Sequence, residues 1–406
     1  MKTIAIIGTF DTKGRELTYV QSIIEELGLN TFTMNTGVFE SSYPVDVSNE
    51  EILREIDVDI KMVQKKKDRA YATDLLSKAM EKIVPRLYEE GKFDGVIAFG
   101  GTGGTSIATP GMRALPIGVP KIMVSTVASG DTSFYVGTSD LVMMPSVVDV
   151  SGLNTISTKI FQNAAHAIAG MVKFESEEYK SDKPLIGATM FGLTTPAVTA
   201  ATDYLERQGY EVLIFHATGI GGRSMESLIN DGFIEGVLDL TTTEWCDELF
   251  GGILNAGPHR LEAASLNKVP QVVSLGALDM VNFGPYDTVP KKYEGRKFYK
   301  HNPSVTLMRT TLEENKILGE KIAEKLNMAK ENTILMIPLK GFSGLDVEGG
   351  AFEGKEEDQM LIETLKDNLR NDVVEVLEMD NEINDKKFAE TAAKKLIEMI
   401  ERKMEE

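Results

Sequence analysis

The chain has 406 residues, of which 42% are hydrophobic and 26% charged, so it is long enough for two domains with sizeable cores. A net charge of −19 disfavours a nucleic-acid-binding surface, and the sequence contains no run of about 18 apolar residues that could form a membrane span. The single cysteine, Cys246, excludes an internal disulfide and a four-thiolate metal centre, which favours a cytoplasmic setting. The apolar run at residues 4–7 is too short for a signal peptide.

The first predicted elements form a strand–helix–strand unit. Lys2–Gly8 is a continuous apolar run, typical of a strand buried in a parallel sheet. A helix is expected next, ending at Gly28, and a second strand covers Asn30–Thr36. The polar residues and glycines that follow these strands are candidates for contacting a ligand: Thr9, Asp11, Thr12, Lys13, Gly14 and Gly37.

A glycine-rich segment follows the next predicted strand. A long helix is expected from Ala72 to Glu90, kinked or divided at Pro85, and the strand Gly95–Phe99 comes after it. Glycines at the carboxyl end of a parallel strand let the backbone approach a ligand, and successive free N–H groups can bind an anion. The segment is therefore either a phosphate cradle or a plain turn that reverses the chain. Its candidate binding residues are Gly100, Gly101, Thr102, Gly103, Gly104 and Thr105.

A third strand, Lys121–Ser125, also ends in a polar loop. The candidate residues of that loop are Ser129, Gly130, Asp131 and Thr132. Because the carboxyl ends of parallel strands meet at one edge of a sheet, the three loops together predict a nucleotide or phosphate site. Asp11 and Asp131 are the candidates for binding Mg²⁺ or its waters. Lys13 is not a Walker lysine, since the spacing of that motif is absent.

The second half repeats the plan after a predicted linker at Phe174–Pro184. Strands are predicted, in the same order as in the first half, at Leu185–Thr189, Glu211–His216, Gly236–Leu240 and Val269–Ser274, with two more at Thr333–Leu339 and Val373–Glu378. A capping box at Thr311–Glu314 predicts the start of a helix. We therefore predict an α/β protein of two doubly wound, Rossmann-like subdomains with mostly parallel sheets, residues 1–178 and 179–406.

The two halves differ in charge at the equivalent first loop. The loop Met190–Pro196 carries no charged residue, so the nucleotide is expected on residues 1–178. A second, different pocket is predicted in the other half, with candidate catalytic residues His216, Glu244, His259 and Arg260. Alternatively, Glu244 and its acidic neighbours only begin a helix, where carboxylates interact favourably with the helix dipole.

These segments resemble an uncharacterised family of bacterial and archaeal proteins. That family is related to the ATP-binding, helicase-inhibiting N-terminal domain of the tomato mosaic virus resistance protein. The segments that carry the resemblance are Gly8–Gly14, Gly100–Thr105, Ser125–Asp131, Phe215–Gly219, Thr241–Glu244 and Gly276–Phe283. The resemblance implies two Rossmann-like subdomains, ATP with magnesium and self-association, without implying a known reaction. One departure is Glu382, where a histidine is expected beside Ile383–Asp385.

The function expected from the sequence is that of a cytoplasmic, two-domain protein that binds ATP and Mg²⁺. We expect an ATP-using enzyme that acts on a small molecule in the cleft between the subdomains. The alternative is a nucleotide-sensing regulatory or protein-interaction module without catalysis. A homodimer or higher homo-oligomer is expected, with neither nucleic acid nor membrane as partner. A Rossmann dehydrogenase is disfavoured, because no Gly-x-Gly-x-x-Gly follows the first strand.

Overall fold

The structure is a computed structural model that describes residues 1–174, 182–330 and 332–405. The chain divides into two compact units, unit 1 (Met1–Tyr179) and unit 2 (Lys180–Glu406). The predicted boundary after residue 178 lies outside the described residues, as does most of the predicted linker. No helix within the described ranges is long and apolar enough to cross a bilayer.

Unit 1 is built on a five-stranded parallel sheet in the order β2-β1-β3-β4-β5. Its strands are β1 (Thr3–Gly8), β2 (Asn30–Asn35), β3 (Gly95–Gly100), β4 (Lys121–Ser125) and β5 (Val142–Pro145). Its helices are α1 (Phe10–Glu26), α2 (Asn49–Arg54), α3 (Ile60–Lys66), α4 (Arg69–Glu89), α5 (Thr102–Arg113), α6 (Ser133–Val136) and α7 (Thr155–Lys173).

Both faces of this sheet are covered by helices, which explains why its strands are continuous apolar runs. Ile4 and Ile6 of β1 pack in one core with α1 and α7. Ala5 and Ile7, which point to the opposite face, pack in a second core with α4 and α5. The predicted doubly wound arrangement is confirmed for this unit. Helix α4 continues through Pro85 as a single element, so the predicted division of that helix is wrong.

Unit 2 combines a six-stranded parallel sheet with a three-stranded antiparallel one. Its strands are β6 (Leu185–Met190), β7 (Glu211–His216), β8 (Gly236–Thr241), β9 (Gln271–Gly276), β10 (Met280–Phe283), β11 (Phe298–Asn302), β12 (Val305–Arg309), β13 (Thr333–Pro338) and β14 (Val374–Met379). Its helices are α8 (Thr195–Arg207), α9 (Ile220–Asn230), α10 (Glu244–Phe250), α11 (Ala263–Leu266), α12 (Leu312–Leu326), α13 (Lys355–Asn368) and α14 (Lys386–Glu405).

The large sheet of unit 2 has the order β14-β13-β9-β8-β6-β7, and the small sheet has the order β10-β12-β11. In each unit the first strand of the parallel sheet lies between the second and the third, with the fourth beyond the third. The two units therefore share a strand order, which confirms the repeat read from the sequence. The small antiparallel sheet was not predicted, because its strands are short and β11 is mostly exposed.

Candidate functional site

The strand order of unit 1 creates a place for a ligand beside β1. The chain leaves β1 towards β2 on one side and reaches β3 on the other, so the connections diverge between β1 and β3. In open α/β sheets, ligands bind outside the carboxyl ends of the strands at such a switch point. The segments that begin there are Thr9–Gly14 after β1, Thr36–Gly37 after β2 and Gly101–Thr105 after β3.

A cavity of about 510 Å³ opens at this switch point. Six of the candidate binding residues line it: Thr9, Asp11, Thr12, Gly37, Gly103 and Gly104. The remaining walls are largely apolar, with Val38, Phe39, Val63, Ala72, Leu76 and Ile107, and they include the charged residues Lys67, Asp68 and Arg69. The site therefore has a mainly apolar wall and a glycine-containing edge at the start of α5.

The N-terminus of α5 has no side-chain cap. Gly101 is its N-cap residue, and the first helical hydrogen bond runs from the Thr105 N–H to the Gly101 carbonyl oxygen at 2.9 Å. The N–H groups of the first turn, Thr102 to Gly104, have no partner within the helix, as at every helix start. Together with the helix dipole, these groups favour an anion at the cavity edge.

Arg69 is the residue of this site that sequence reasoning missed. A Cβ placed on Gly103 would lie 3.3 Å from Arg69 Nη2, so the guanidinium stands beside the first turn of α5. None of the described residues forms a hydrogen bond or an ion pair with the Arg69 guanidinium. The sequence carried one indication of this residue, the helix-capping Asp68 that precedes it. Asp68 Oδ1 accepts a hydrogen bond from the Tyr71 N–H at 3.1 Å, so α4 begins at Arg69.

Asp11 offers an unused oxygen at the same cavity. Its Oδ2 accepts a hydrogen bond from the Phe39 N–H at 3.0 Å, whereas its Oδ1 is buried and has no hydrogen-bond partner in the structure. Gly37 makes room for this carboxylate, because a Cβ at that position would lie 2.0 Å from Asp11 Oδ1. A single free carboxylate oxygen suits a ribose hydroxyl or one coordination position of Mg²⁺. No group of three or more metal-ligating side chains occurs in the described part of the chain.

Asp131, the other Mg²⁺ candidate, does not line this cavity. It is exposed, and its Oδ1 accepts hydrogen bonds from the Ser133 hydroxyl at 2.6 Å and the Ser133 N–H at 3.0 Å. These bonds lower the pKa of the Asp131 carboxyl. Its neighbours Ser129, Gly130 and Thr132 are likewise absent from the cavity wall.

The other candidates from the loops after β1 and β3 do not line this cavity. Lys13 interrupts α1 with φ −128° and ψ 23°, and Gly14 packs against the ring of Tyr43. Gly100, Gly101 and Thr105 connect β3 to α5, and the Thr105 and Ser125 hydroxyls lie 2.6 Å apart. Thr102 borders a neighbouring cavity instead.

In unit 2 the structure brings Glu244 and Arg260 together in a buried ion cluster. Arg260 Nε donates to Glu244 Oε2 at 2.7 Å, and Arg260 Nη2 donates to Asp239 Oδ1 at 2.7 Å. Asp239, Glu244 and Arg260 are each only 1% exposed. Burial raises the pKa of the Glu244 carboxyl, an effect that the contact with Arg260 partly offsets. The cluster links β8, which carries Asp239, to the start of α10, which carries Glu244.

Glu244 also binds the start of α9. Its Oε1 accepts hydrogen bonds from the Gly219 N–H at 2.7 Å and the Gly222 N–H at 3.1 Å. Both glycines lie at the start of α9, in the connection that follows β7 and corresponds to Thr36–Gly37 of unit 1. A carboxylate of the chain thus stands at this connection in both units, Glu244 in unit 2 and Asp11 beside Gly37 in unit 1.

His216 and His259 lie apart from this cluster. His216 is exposed, with Nδ1 2.9 Å from the Met190 carbonyl oxygen. His259 is also exposed, with Nδ1 2.9 Å from Glu262 Oε2. Neither ring hydrogen-bonds Glu244 or Arg260 in the described residues, and the predicted second pocket stays a prediction.

The fold and the site define a protein of two doubly wound α/β units with an open switch-point cavity in the first. The chain belongs to the Uncharacterised protein family (UPF0261), whose N-terminal domain matches residues 2–177 and whose C-terminal domain matches residues 183–400. Membership confirms the family part of the resemblance stated above.

Two relatives illustrate the range of the family. A UPF0261 protein of Clostridium tetani is 56% identical over 402 residues, which is 99% of this chain and 100% of that protein. The ToMV resistance protein Tm-1(GCR237) of Solanum lycopersicum is 41% identical over 416 residues, covering 97% of this chain and 55% of that protein. Among solved structures, UDP-N-acetylglucosamine 2-epimerase from Rickettsia bellii matches with a TM-score of 0.21 at 10% identity, over 99% of this chain and 96% of that one. A likeness at that score carries no argument about function.

Proposed function

We propose that unit 1 binds ATP with Mg²⁺ in the cavity at its switch point. The observation that carries this proposal is Arg69, whose guanidinium has no carboxylate partner among the described residues and stands beside Gly103 in the uncapped first turn of α5. An unneutralised arginine next to free N–H groups is the arrangement that recognises phosphate oxygens. The phosphates would lie at this edge of the cavity.

The rest of the cavity supports a nucleotide better than a bare phosphate. Its volume of about 510 Å³ exceeds what an inorganic anion needs, and apolar residues such as Val38, Val63 and Leu76 offer a surface for a base. The free Oδ1 of Asp11 would accept from a ribose hydroxyl or bind Mg²⁺ together with phosphate oxygens. Thr9 and Thr12, whose hydroxyls lie 3.0 Å apart, would add polar contacts.

The proposal extends to an ATP-using enzyme that works on a small molecule in the cytoplasm as a homo-oligomer. The family resemblance and the single, buried Cys246 support this setting. Turnover of ATP with and without pools of metabolites would separate an enzyme from a nucleotide sensor, and sedimentation analysis would test self-association.

A thermal scan of the purified chain tests nucleotide binding directly. A ligand that binds only the folded state adds about 2.7 kcal/mol of stability at a hundredfold excess over its dissociation constant. We expect ATP with Mg²⁺ to raise the melting temperature, and Arg69→Gln to abolish most of the shift. Lys92→Gln, which removes an exposed positive charge elsewhere in unit 1, is the matched control. No shift with ATP, ADP or AMP would refute the proposal.

A further inference from the structure

A second cavity, of about 870 Å³, borders the proposed nucleotide site in unit 1. Arg69, Thr73 and Gly103 line both cavities, so the two meet beside the first turn of α5. The second cavity extends along α5 to Arg113 and is bounded by Phe134. We refer to it as the Arg113 groove.

Arg113 is held in this groove by backbone contacts that leave part of its guanidinium free. Its Nη1 donates to the carbonyl oxygens of Phe134 at 3.0 Å and Tyr135 at 2.8 Å. Its Nε and Nη2 form no hydrogen bond with any described residue, and no described carboxylate lies within ion-pair distance. The side chain is partly buried and already positioned, so a ligand would order it at little entropic cost.

The charges around the groove leave a place for an anion. Asp74, on its wall, is paired with Lys78 at 2.8 Å, so its charge is largely neutralised. Glu81 is the other acidic wall residue, and its charge acts on Arg113 without forming an ion pair with it in the described residues. Planar guanidinium groups bind carboxylates and phosphates through two parallel hydrogen bonds.

We propose that the Arg113 groove binds a small carboxylate or phosphate ester as a second ligand. Its role as a co-substrate site rests on the proposed function, because the groove meets the nucleotide cavity where the phosphates would lie. The anion site itself rests on Arg113 and its free donors. A ligand held there would reach Arg69 and Gly103, two of the three residues common to both cavities.

Calorimetric titration of the full chain with succinate and with glycerol 3-phosphate tests this site. Comparing the two probes distinguishes a carboxylate from a phosphate ligand, and titrating each with and without Mg²⁺ and a non-hydrolysable ATP analogue tests whether binding depends on the nucleotide. We expect at least one probe to bind, and Arg113→Gln to weaken that binding about tenfold or more through loss of charge-assisted hydrogen bonds. Affinity for the ATP analogue should change by less than about twofold, because Arg113 does not line the nucleotide cavity.

Lys82→Gln is the matched control, since it removes an exposed positive charge from the same unit outside the groove and should leave probe binding unchanged. If Arg113→Gln fails to fold, Ser106→Glu is the second test of the anion site. It places a negative charge on the groove wall and should weaken binding of the probe. Failure of both probes to bind, or binding that survives Arg113→Gln in a folded protein, overturns the proposal. If the protein does not bind the ATP analogue but still binds a probe in a way that depends on Arg113, the nucleotide site is refuted and the anion site in the Arg113 groove is supported.

Discussion

The carboxylate of Asp11 occupies the space that a side chain on Gly37 would need, since a Cβ there would lie 2.0 Å from Asp11 Oδ1. Gly37→Ala should therefore displace Asp11 and lower the affinity for ATP with Mg²⁺ by about tenfold, the effect of losing one charged contact. Gly170→Ala is the control, because nothing lies within 4 Å of a Cβ at that helical position. Calorimetric titration measures the affinity and circular dichroism the fold. Unchanged affinity in a folded Gly37→Ala protein would contradict the role given to Asp11.

Gly103→Val should abolish or strongly weaken ATP binding without unfolding unit 1. The φ of Gly103 is not positive, and the nearest obstacle to a Cβ is Arg69 Nη2 at 3.3 Å, the mobile end of a long side chain. Valine would displace this guanidinium and cover the N–H groups of the first turn. The affinity for ATP should therefore fall by about tenfold or more. Gly170→Val controls for valine in a helix. If Gly103→Val is folded and binds ATP as tightly as the parent, the phosphate-binding role of this segment is contradicted and the segment is a plain turn.

Glu244→Gln tests whether the buried cluster of unit 2 is structural. Glutamine keeps an oxygen for the Gly219 and Gly222 N–H groups and loses the charged contact with Arg260. We expect the free energy of unfolding to fall by about 1.5–3 kcal/mol, with ATP affinity unchanged. Glu248→Gln, on the same helix but less buried, should have little effect. Urea unfolding supplies the measurement, and equal stability of the two variants would contradict the prediction.

A second buried cluster should make the stability of unit 2 depend on pH. Arg309 Nη2 lies 2.6 Å from Asp358 Oδ1 and 3.4 Å from Asp346 Oδ1, so one guanidinium serves two carboxyl groups. Burial, together with the nearby charges of Asp279 and Asp358, raises the pKa of Asp346 to about 9. This value lies above the ordinary aspartate pKa of about 4, so the folded chain binds this proton more tightly than the unfolded chain. The stability that it contributes is complete below about pH 4 and is lost as the pH rises through about 9.

Asp346→Asn should flatten this dependence, because asparagine has no proton to release. Between pH 6 and about 9 the parent should lose stability by at most about 1.4 kcal/mol per pH unit for this one proton, and the variant by less. Asp372→Asn is the control, since Arg370 lowers the pKa of that exposed carboxyl and it stays ionised over this range. Urea unfolding at several pH values measures the slopes. Parallel slopes for parent and Asp346→Asn would rule out the shifted pKa.

The sequence predicted the parallel sheets well because their strands are buried on both faces. Runs such as Ile4–Ile7 must be apolar throughout, which leaves a clear pattern, and the capping box at Thr311 is confirmed as the start of α12. The small antiparallel sheet was not predicted, because Phe298–Asn302 is largely exposed and lacks a continuous apolar run.

For the site, the sequence indicated which loops follow the strands but not which residues converge. Arg69 comes from the start of a helix rather than from a strand end, so its position beside Gly103 depends on how α4 packs against α5. The pairing of Glu244 with Arg260 likewise needs the folded chain, because the two residues are 16 positions apart and meet in the interior.

Glu244, as a carboxylate carried by the chain itself, also affects how the two units respond to their surroundings. At the start of α9 unit 2 has a permanently bound anion at a fixed effective concentration, whereas the anion proposed for the start of α5 in unit 1 would come from solution. Under the proposed function, changes in the supply of an anionic metabolite would alter the resistance of unit 1 to unfolding and proteolysis, while Glu244 would stay in place at the start of α9.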